Sequence, residues 1–273
     1  MSTTCHSDNR TKVDDKGNPF YLYEEAPTDT PFNIKVCEDC TSHQIRTKEG
    51  HYYEFIERKE NYDSAAISTG IPQAYRYAKT KDFVYERYSN LSIAREARQK
   101  GINFIKHFDK FKYKGVGLYI HSPSTGAGKT LLACIIANGL IRQYGEQPRF
   151  IEATALFNES RKASRYSDNG DTLSQDKLRS AERATILIID DLGAEKVTDF
   201  TSSVLYSLIS KRTNLGKVTI ITSRKSLDEL KYNASTVSQI RSSTRPLELP
   251  NENVGAKVAD ESNKDLDNLL NQA

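Results

Sequence analysis

No stretch of this 273-residue chain holds an apolar run near bilayer length; a spanning helix needs about 20 such residues, so membrane insertion by helix is excluded. The start, Met1-Ser2-Thr3-Thr4-Cys5-His6, carries no apolar core of a secretion signal. Cysteine is scarce and scattered, with four in all. That argues against a disulfide framework, and we expect a reducing cytoplasm. No internal repeat is visible. Net charge is slight at +3, from 39 Lys/Arg and 36 Asp/Glu. The balance is uneven along the chain: residues 92–250 hold 25 basic against 16 acidic side chains, an excess of nine, whereas residues 1–91 hold 12 against 15 and residues 251–273 hold 2 against 5. The basic excess suits either a polyanionic partner or a solvated lysine-rich surface. With 37% apolar and 27% charged residues, the composition fits a soluble protein whose length allows one ordinary domain plus extra segments.

What is present centres on Ser122-Pro123-Ser124-Thr125-Gly126-Ala127-Gly128-Lys129-Thr130. It follows the apolar run from Val116 to Ile120 and precedes the apolar run from Leu131 to Ala137, an order of strand, glycine loop and helix. Small residues let backbone N–H groups turn around phosphate oxygens, and the positive end of the new helix adds to that field. Residues Ser124 to Leu131 are therefore the expected phosphate cradle, with Lys129 on the β- and γ-phosphates of ATP and the Thr130 hydroxyl toward Mg²⁺. Pro123 stands where the phosphate-loop pattern has its first glycine.

A second motif supports the first. Ala184 to Ile189 is a continuous apolar run ending in Asp190 and Asp191, which suits a strand buried on both faces of a parallel sheet. Ligands bind at the carboxyl ends of such strands. Asp190 is expected to hold Mg²⁺, and Asp191 to orient or deprotonate an attacking water.

Elsewhere, residues 1–33 read as a mobile arm with one short docked piece at Phe20–Tyr23. Cys37-x₂-Cys40 followed by His43 is either the start of a zinc site or an ordinary pair of loop cysteines. An amphipathic helix is expected from Ser92 to about Phe111. A strand is expected at Arg149–Ala153, with a polar helix after it, and a helix from about Thr198 to Thr213 carries Val204, Leu205, Leu208 and Ile209 on one face. Lys217–Ser223 reads as another buried strand, Ser226–Leu230 as a capped helix start, and Pro246–Pro250 as a short strand or extended piece. Arg161, Lys162 and Arg165, beside Tyr166, and later Lys211 and Arg212, are candidate contacts to single-stranded DNA; each also reads as a solvated helix face. The expected organisation is an arm and partner-binding region over 1–91, a P-loop α/β domain with a parallel sheet and flanking helices over 92–250, and an acidic flexible tail over 251–273.

Over roughly residues 70–250 the chain resembles the DnaC/DnaI-type helicase loaders and the related IstB-type transposition ATPases, a branch of the AAA+ superfamily. The resemblance is carried by Ile71-Pro72 to Arg76, Gly126-Ala127-Gly128-Lys129-Thr130, Ile188 to Glu195 and Thr219 to Leu230. It implies an ATP-controlled, self-associating loader that brings a hexameric replicative helicase onto single-stranded DNA, with a helicase-binding, sometimes zinc-bearing region ahead of the ATPase domain. Two positions depart from the family. Arg224 occupies the sensor position usually held by asparagine; a guanidinium supplies charge but cannot accept a hydrogen bond. Gln239 stands where the family places an arginine that reaches a neighbour's γ-phosphate, leaving Arg241 or Arg245 as substitutes. An arginine supplied in trans is worth about 10³–10⁵ in rate where it operates, so a weak ATPase acting as a switch is expected. An IstB-like transposition helper and a nucleotide-binding scaffold without efficient turnover are the alternatives.

Overall fold

The computed structural model describes five short strands between residues 11 and 56, then residues 67–165, 172–260 and 263. The chain divides into two compact units, Met1–Ala65 and Ala66–Ala273. In the first, β1 (Thr11–Val13), β2 (Pro19–Tyr23), β3 (Asn33–Val36), β4 (Ser42–Arg46) and β5 (Tyr52–Ile56) form one sheet in the order β1-β2-β5-β4-β3. The β2–β5 pair is parallel and the others antiparallel. The expected docked piece is thus β2, one strand of a five-stranded sheet rather than a lone contact. Its partner β5 lies some thirty residues away in the chain, beyond the reach of local patterning.

The second unit is built on a parallel sheet of β6 (Gly117–His121), β7 (Arg149–Glu152), β8 (Ile186–Leu192), β9 (Val218–Ser223) and β10 (Thr244–Glu248), in the order β10-β6-β9-β8-β7. All six residues of β9 and the run Ile186–Asp190 of β8 are buried, as strands covered by helices on both faces require. Leu187 and Ile189 join Tyr119, Ile221, Leu156, Phe157, Leu205 and Ile209 in one hydrophobic core. The ladder between β8 and β9 slips between Ile189 and Leu192, so the strand carries a bulge at its two acids.

Helices flank this sheet among the described residues. The single helix expected over Ser92–Phe111 is two: α1 (Leu91–Lys106), capped by the Asn90 side chain, and α2 (Phe108–Lys114). The break at His107 lets the Phe104 ring meet those of Phe108 and Phe111, at centroid distances of 5.9 and 4.6 Å respectively. Next come α3 (Lys129–Tyr144), α4 (Ala153–Arg165), α5 (Thr172–Arg183), α6 (Asp199–Asn214) and α7 (Ala234–Ser243). Helix α3 is buried through ten of its positions, which accounts for its apolar character all round. In the Ser226–Leu230 segment the Ser226 N–H and hydroxyl both donate to Glu229 Oε2, only half of the expected capping exchange, and the segment stays a turn. The helix begins only at α7, where Asn233 accepts from Thr236 N–H.

Two long connections complete the unit. Residues 69–90 run as three single 3₁₀ turns across α3, where the buried Asn138 amide donates to the carbonyls of Tyr75 (2.8 Å) and Ala78 (3.0 Å). After β10, Leu249 N–H donates to His121 O at 2.8 Å, the Ser122 hydroxyl donates to Pro250 O at 2.8 Å, and residues 254–260 are helical. These are residues for which the sequence suggested an acidic flexible tail.

Arg212 is a correction. It is 0% exposed, not a surface cation. Its guanidinium donates to Thr219 Oγ1 and to the carbonyls of Ala181, Glu182, Ala184 and Val218. It thereby satisfies the last carbonyls of α5 and pins α6 to β9.

Candidate functional site

The loop after β6 turns on two left-handed glycines, Gly126 (φ 69°) and Gly128 (φ 84°), before α3 opens at Lys129. Only glycine takes these angles without strain. The surroundings allow nothing larger. A Cβ on Gly126 would lie 1.9 Å from Asn253 Oδ1, and one on Gly128 would lie 2.8 Å from Tyr88 Oη. The loop is held from two sides: the Tyr88 hydroxyl donates to Ala127 O at 2.9 Å, and Gly255 N–H donates to Gly126 O at 2.8 Å. The two walls are tied to each other as well, because the Glu252 carboxylate accepts from Ser89 N–H (2.7 Å) and Asn90 N–H (2.9 Å).

Lys129 folds back over this loop, donating from Nζ to Ser124 O at 2.7 Å and to Ser122 O at 3.1 Å. Burial holds its pKa below the usual lysine value, with the Asp191 carboxylate opposing. The Thr130 hydroxyl lies 2.9 and 3.1 Å from the two Asp190 oxygens, and the Thr222 hydroxyl donates to Asp190 Oδ1 at 2.6 Å. Burial raises the Asp190 carboxyl above the ordinary carboxylate range, while those two hydroxyls pull the other way. Thr222 serves both acids: its oxygen also accepts the Asp191 amide at 2.8 Å. Asp191 sits at φ 52°, a left-handed value in a non-glycine residue, and its carboxylate meets Arg224 Nε at 3.4 Å.

Beside the loop lies a cleft of about 550 Å³, lined by Tyr75, Asp82, Phe83, Val84, Arg87 and Tyr88, by Val254, Gly255, Val258 and Ala259, and by residues Gly126 to Leu131. The lining is mixed: a lysine and a helix N-terminus share it with aromatic and aliphatic side chains, and with Asp82 and Arg87. Such a cleft suits a ligand with an anionic end and a flat apolar end. Thr130 and Asp190 together supply hard oxygen ligands suited to Mg²⁺.

The sequence thus anticipated residues that the fold gathers: the loop Ser124–Leu131, Asp190, Asp191 and Arg224 share one end of the sheet. Others are dispersed. Arg241 pairs with Asp228 at 2.6 Å, Gln239 donates to Thr213 Oγ1 at 3.2 Å, and Arg245 donates to Thr244 O at 2.9 Å. Among the DNA candidates, Arg161 stacks its guanidinium over the Phe200 ring at 5.6 Å and Lys162 pairs with Glu159 at 3.3 Å; the Arg165 side chain lies outside the described residues. Cys37 and Cys40 also lie outside them, and His43 belongs to β4. Among the described residues, no group of three or more His, Cys, Asp or Glu side chains could hold a metal ion. Sequence reasoning missed Tyr88, Asn253 and Glu252, because each acts across a long separation in the chain. Among the described residues no helix is long and apolar enough to cross a membrane.

Comparison with known proteins agrees with this geometry. The family model of IstB-like ATP binding proteins matches residues 78–235. The replicative helicase loader DnaI of Bacillus subtilis is 30% identical over 131 residues, which are 48% of this chain and 40% of that protein. The match therefore spans less than half of the relative. Among solved structures, the DnaC helicase loader superposes with a TM-score of 0.55 at 23% identity, covering 66% of this chain and all (100%) of that one. DnaI gives 0.55 at 22% identity, covering 67% and 96%. The replication initiator DnaA of Aquifex aeolicus, bound to AMPPCP, gives 0.53 at 15%, covering 72% and 57%. At these identities the structures establish a shared fold alone, the parallel sheet with flanking helices.

Proposed function

Because this chain belongs to the IstB-like ATP-binding family, we propose that it is a nucleotide-switched loader that delivers a hexameric replicative helicase onto single-stranded DNA. The observation that carries the reading is that Lys129 and Thr130 line the cleft beside the loop while the Thr130 hydroxyl meets the Asp190 carboxylate. The likeness to a replicative helicase loader supplies the partner.

In this reading residues Ser124 to Leu131 cradle the phosphates through main-chain amides, and Lys129 exchanges its two carbonyl partners for phosphate oxygens. Thr130 and Asp190 hold Mg²⁺, which when bound neutralises charge on the phosphates. Asp191 accepts a proton from the water that attacks the γ-phosphorus, as the bond to the ADP oxygen breaks. Turnover is slow, for two reasons. Asp191 is engaged by Arg224, and Arg241, the nearest substitute for the displaced trans arginine, is tied to its own Asp228.

The N-terminal unit is the proposed helicase-binding region, with Cys37, Cys40 and His43 as a zinc half-site that metal analysis of the purified protein checks. Arg161, Lys162 and Arg165 remain the proposed DNA contacts. Self-association through the ATPase units, cytoplasmic and transient, completes the picture. The test is co-purification with the replicative helicase in ATP and in ADP, combined with turnover measured with and without helicase and single-stranded DNA. Nucleotide-dependent capture and stimulated turnover are expected; capture that ignores nucleotide refutes the switch. The family match favours one alternative, a transposition helper, which instead predicts ATP-dependent assemblies on duplex DNA.

A further inference from the structure

Helices α4, α5 and α6 cover the sheet face that carries Leu187, Ile189 and Ile221, and they leave a groove of about 310 Å³ between them. Its apolar lining is Leu156 from α4, Leu178 from α5, and Phe200, Val204 and Leu208 from α6. Apolar side chains gathered in an open groove mark a docking surface, as a lone exposed one does not. Around the groove stand Arg161, whose guanidinium lies over the Phe200 ring, Lys162 and Lys177, which share Glu159, and Lys211, which holds Glu182. Four cations against two carboxylates leave this rim two positive charges in excess. An occupant that fits is apolar along one side and acidic beside it.

One segment of this chain has that pattern. Residues 260–273 hold Asp260, Glu261, Asp265 and Asp267 against Lys264 alone, and Leu266, Leu269 and Leu270 keep the i, i+3, i+4 spacing of a single helical stripe. These leucines lie outside the described residues. The segment sets out from the wrong side to reach its own groove. Val254, Val258 and Ala259 line the cleft beside the start of α3, and no side chain of α3 belongs to the core under the groove. Six residues, about 20 Å when fully extended, separate Asp260 from Leu266, and a helix layer alone is about 10–12 Å thick. A second copy is free of that constraint. We propose that the groove between α4, α5 and α6 takes the acidic leucine segment 260–273 of a second copy, its leucines in the groove and its carboxylates on the basic rim. Such a contact joins two different surfaces, so each copy offers one free segment and one free groove, and assembly runs head to tail.

The test is sedimentation of the full chain over a range of concentrations, without nucleotide and with a chelator. Neither surface belongs to the nucleotide site, so failure here leaves the reading of that site intact. The segment variant carries Leu266→Lys, Leu269→Lys and Leu270→Lys. The groove variant carries Ser203→Glu and Ser207→Glu, two exposed positions on the groove lining, and circular dichroism melts check its fold. Wild type should grow in mass with concentration, past two copies. Each variant alone should associate at least tenfold more weakly. An equal mixture of the two should give a species of two copies and nothing larger, because one intact segment then meets one intact groove. Wild type that stays single throughout would overturn the proposal, as would a mixture that stays single. So would either variant associating like wild type: if only the segment variant does, another part of the chain fills the groove, and if only the groove variant does, the segment docks elsewhere.

Discussion

Replacing Gly126 with alanine tests whether residues 252–260 are part of the site. Two costs can be read from the structure. An L-residue at φ 69° gives up about 1–2 kcal/mol relative to glycine. The new methyl would also fall 1.9 Å from Asn253 Oδ1, so that side chain must leave. In leaving it abandons the Ala256 N–H that it accepts at 3.0 Å, an N-terminal cap worth about 1 kcal/mol. The expected total is about 2–3 kcal/mol. Asn253→Ala alone removes only the cap, about 1 kcal/mol. In the double variant the cap is lost once rather than twice, so the pair should fall short of additivity by about 1 kcal/mol. Native-state hydrogen exchange at the buried α3 amides, in the full chain, reads these differences on the second unit alone. Strict additivity would refute the argument, because it would mean that Asn253 does not cover Gly126 in solution.

Three further outcomes follow from the same coordinates. Burial raises the Asp190 pKa, so this carboxyl takes up its proton at a higher pH than an ordinary aspartate, about 3.9. On acidification Mg²⁺-dependent nucleotide affinity should fall away above that value, and Asp190→Asn should lack this pH limb; the sign is opposite for folding, where protonation of Asp190 favours the native state. Arg212→Met strands the five acceptors of a fully buried guanidinium and should cost about 3–5 kcal/mol, whereas exposed Lys211→Met should change stability by about 0.5 kcal/mol or less, both read by denaturation of the full chain. Cys134 is fully buried with its thiol pushed up to about 12, so peptide mapping after alkylation at pH 8 should find it unmodified in the native protein and modified after unfolding.

Much of the second unit could be read from local pattern. The runs Ile186–Ile189 and Val218–Ile221 announced strands buried on both faces, and the glycines of the loop announced backbone angles that other residues avoid. Asp190 and Asp191 were legible because they end such a run. What escaped was set by contacts across the fold. Helix α5 is short of apolar residues, so its periodicity was faint. Residues 252–260 looked like an acidic tail, yet Glu252 is spent on amides 162 and 163 positions earlier in the chain. Arg212 was misread because a cation in the last turn of a helix usually faces water. Its position was the available signal: it follows Leu205, Leu208 and Ile209 on the same helical face, which is the buried one.

The bulge at the end of β8 has a consequence for how the two acids divide their work. In a regular strand, neighbouring side chains leave on opposite faces, and Asp191 would be directed into the helical layer that covers the far face. The slipped register and the reversed backbone twist at 191 turn it back toward its neighbour's end of the sheet. One carboxylate is left sunk and braced by hydroxyls, the other exposed at the rim beside Arg224. Deleting a single residue here would leave the hydrophobic strand whole and yet turn the side chains beyond it to the opposite faces, separating the two acids from their present partners.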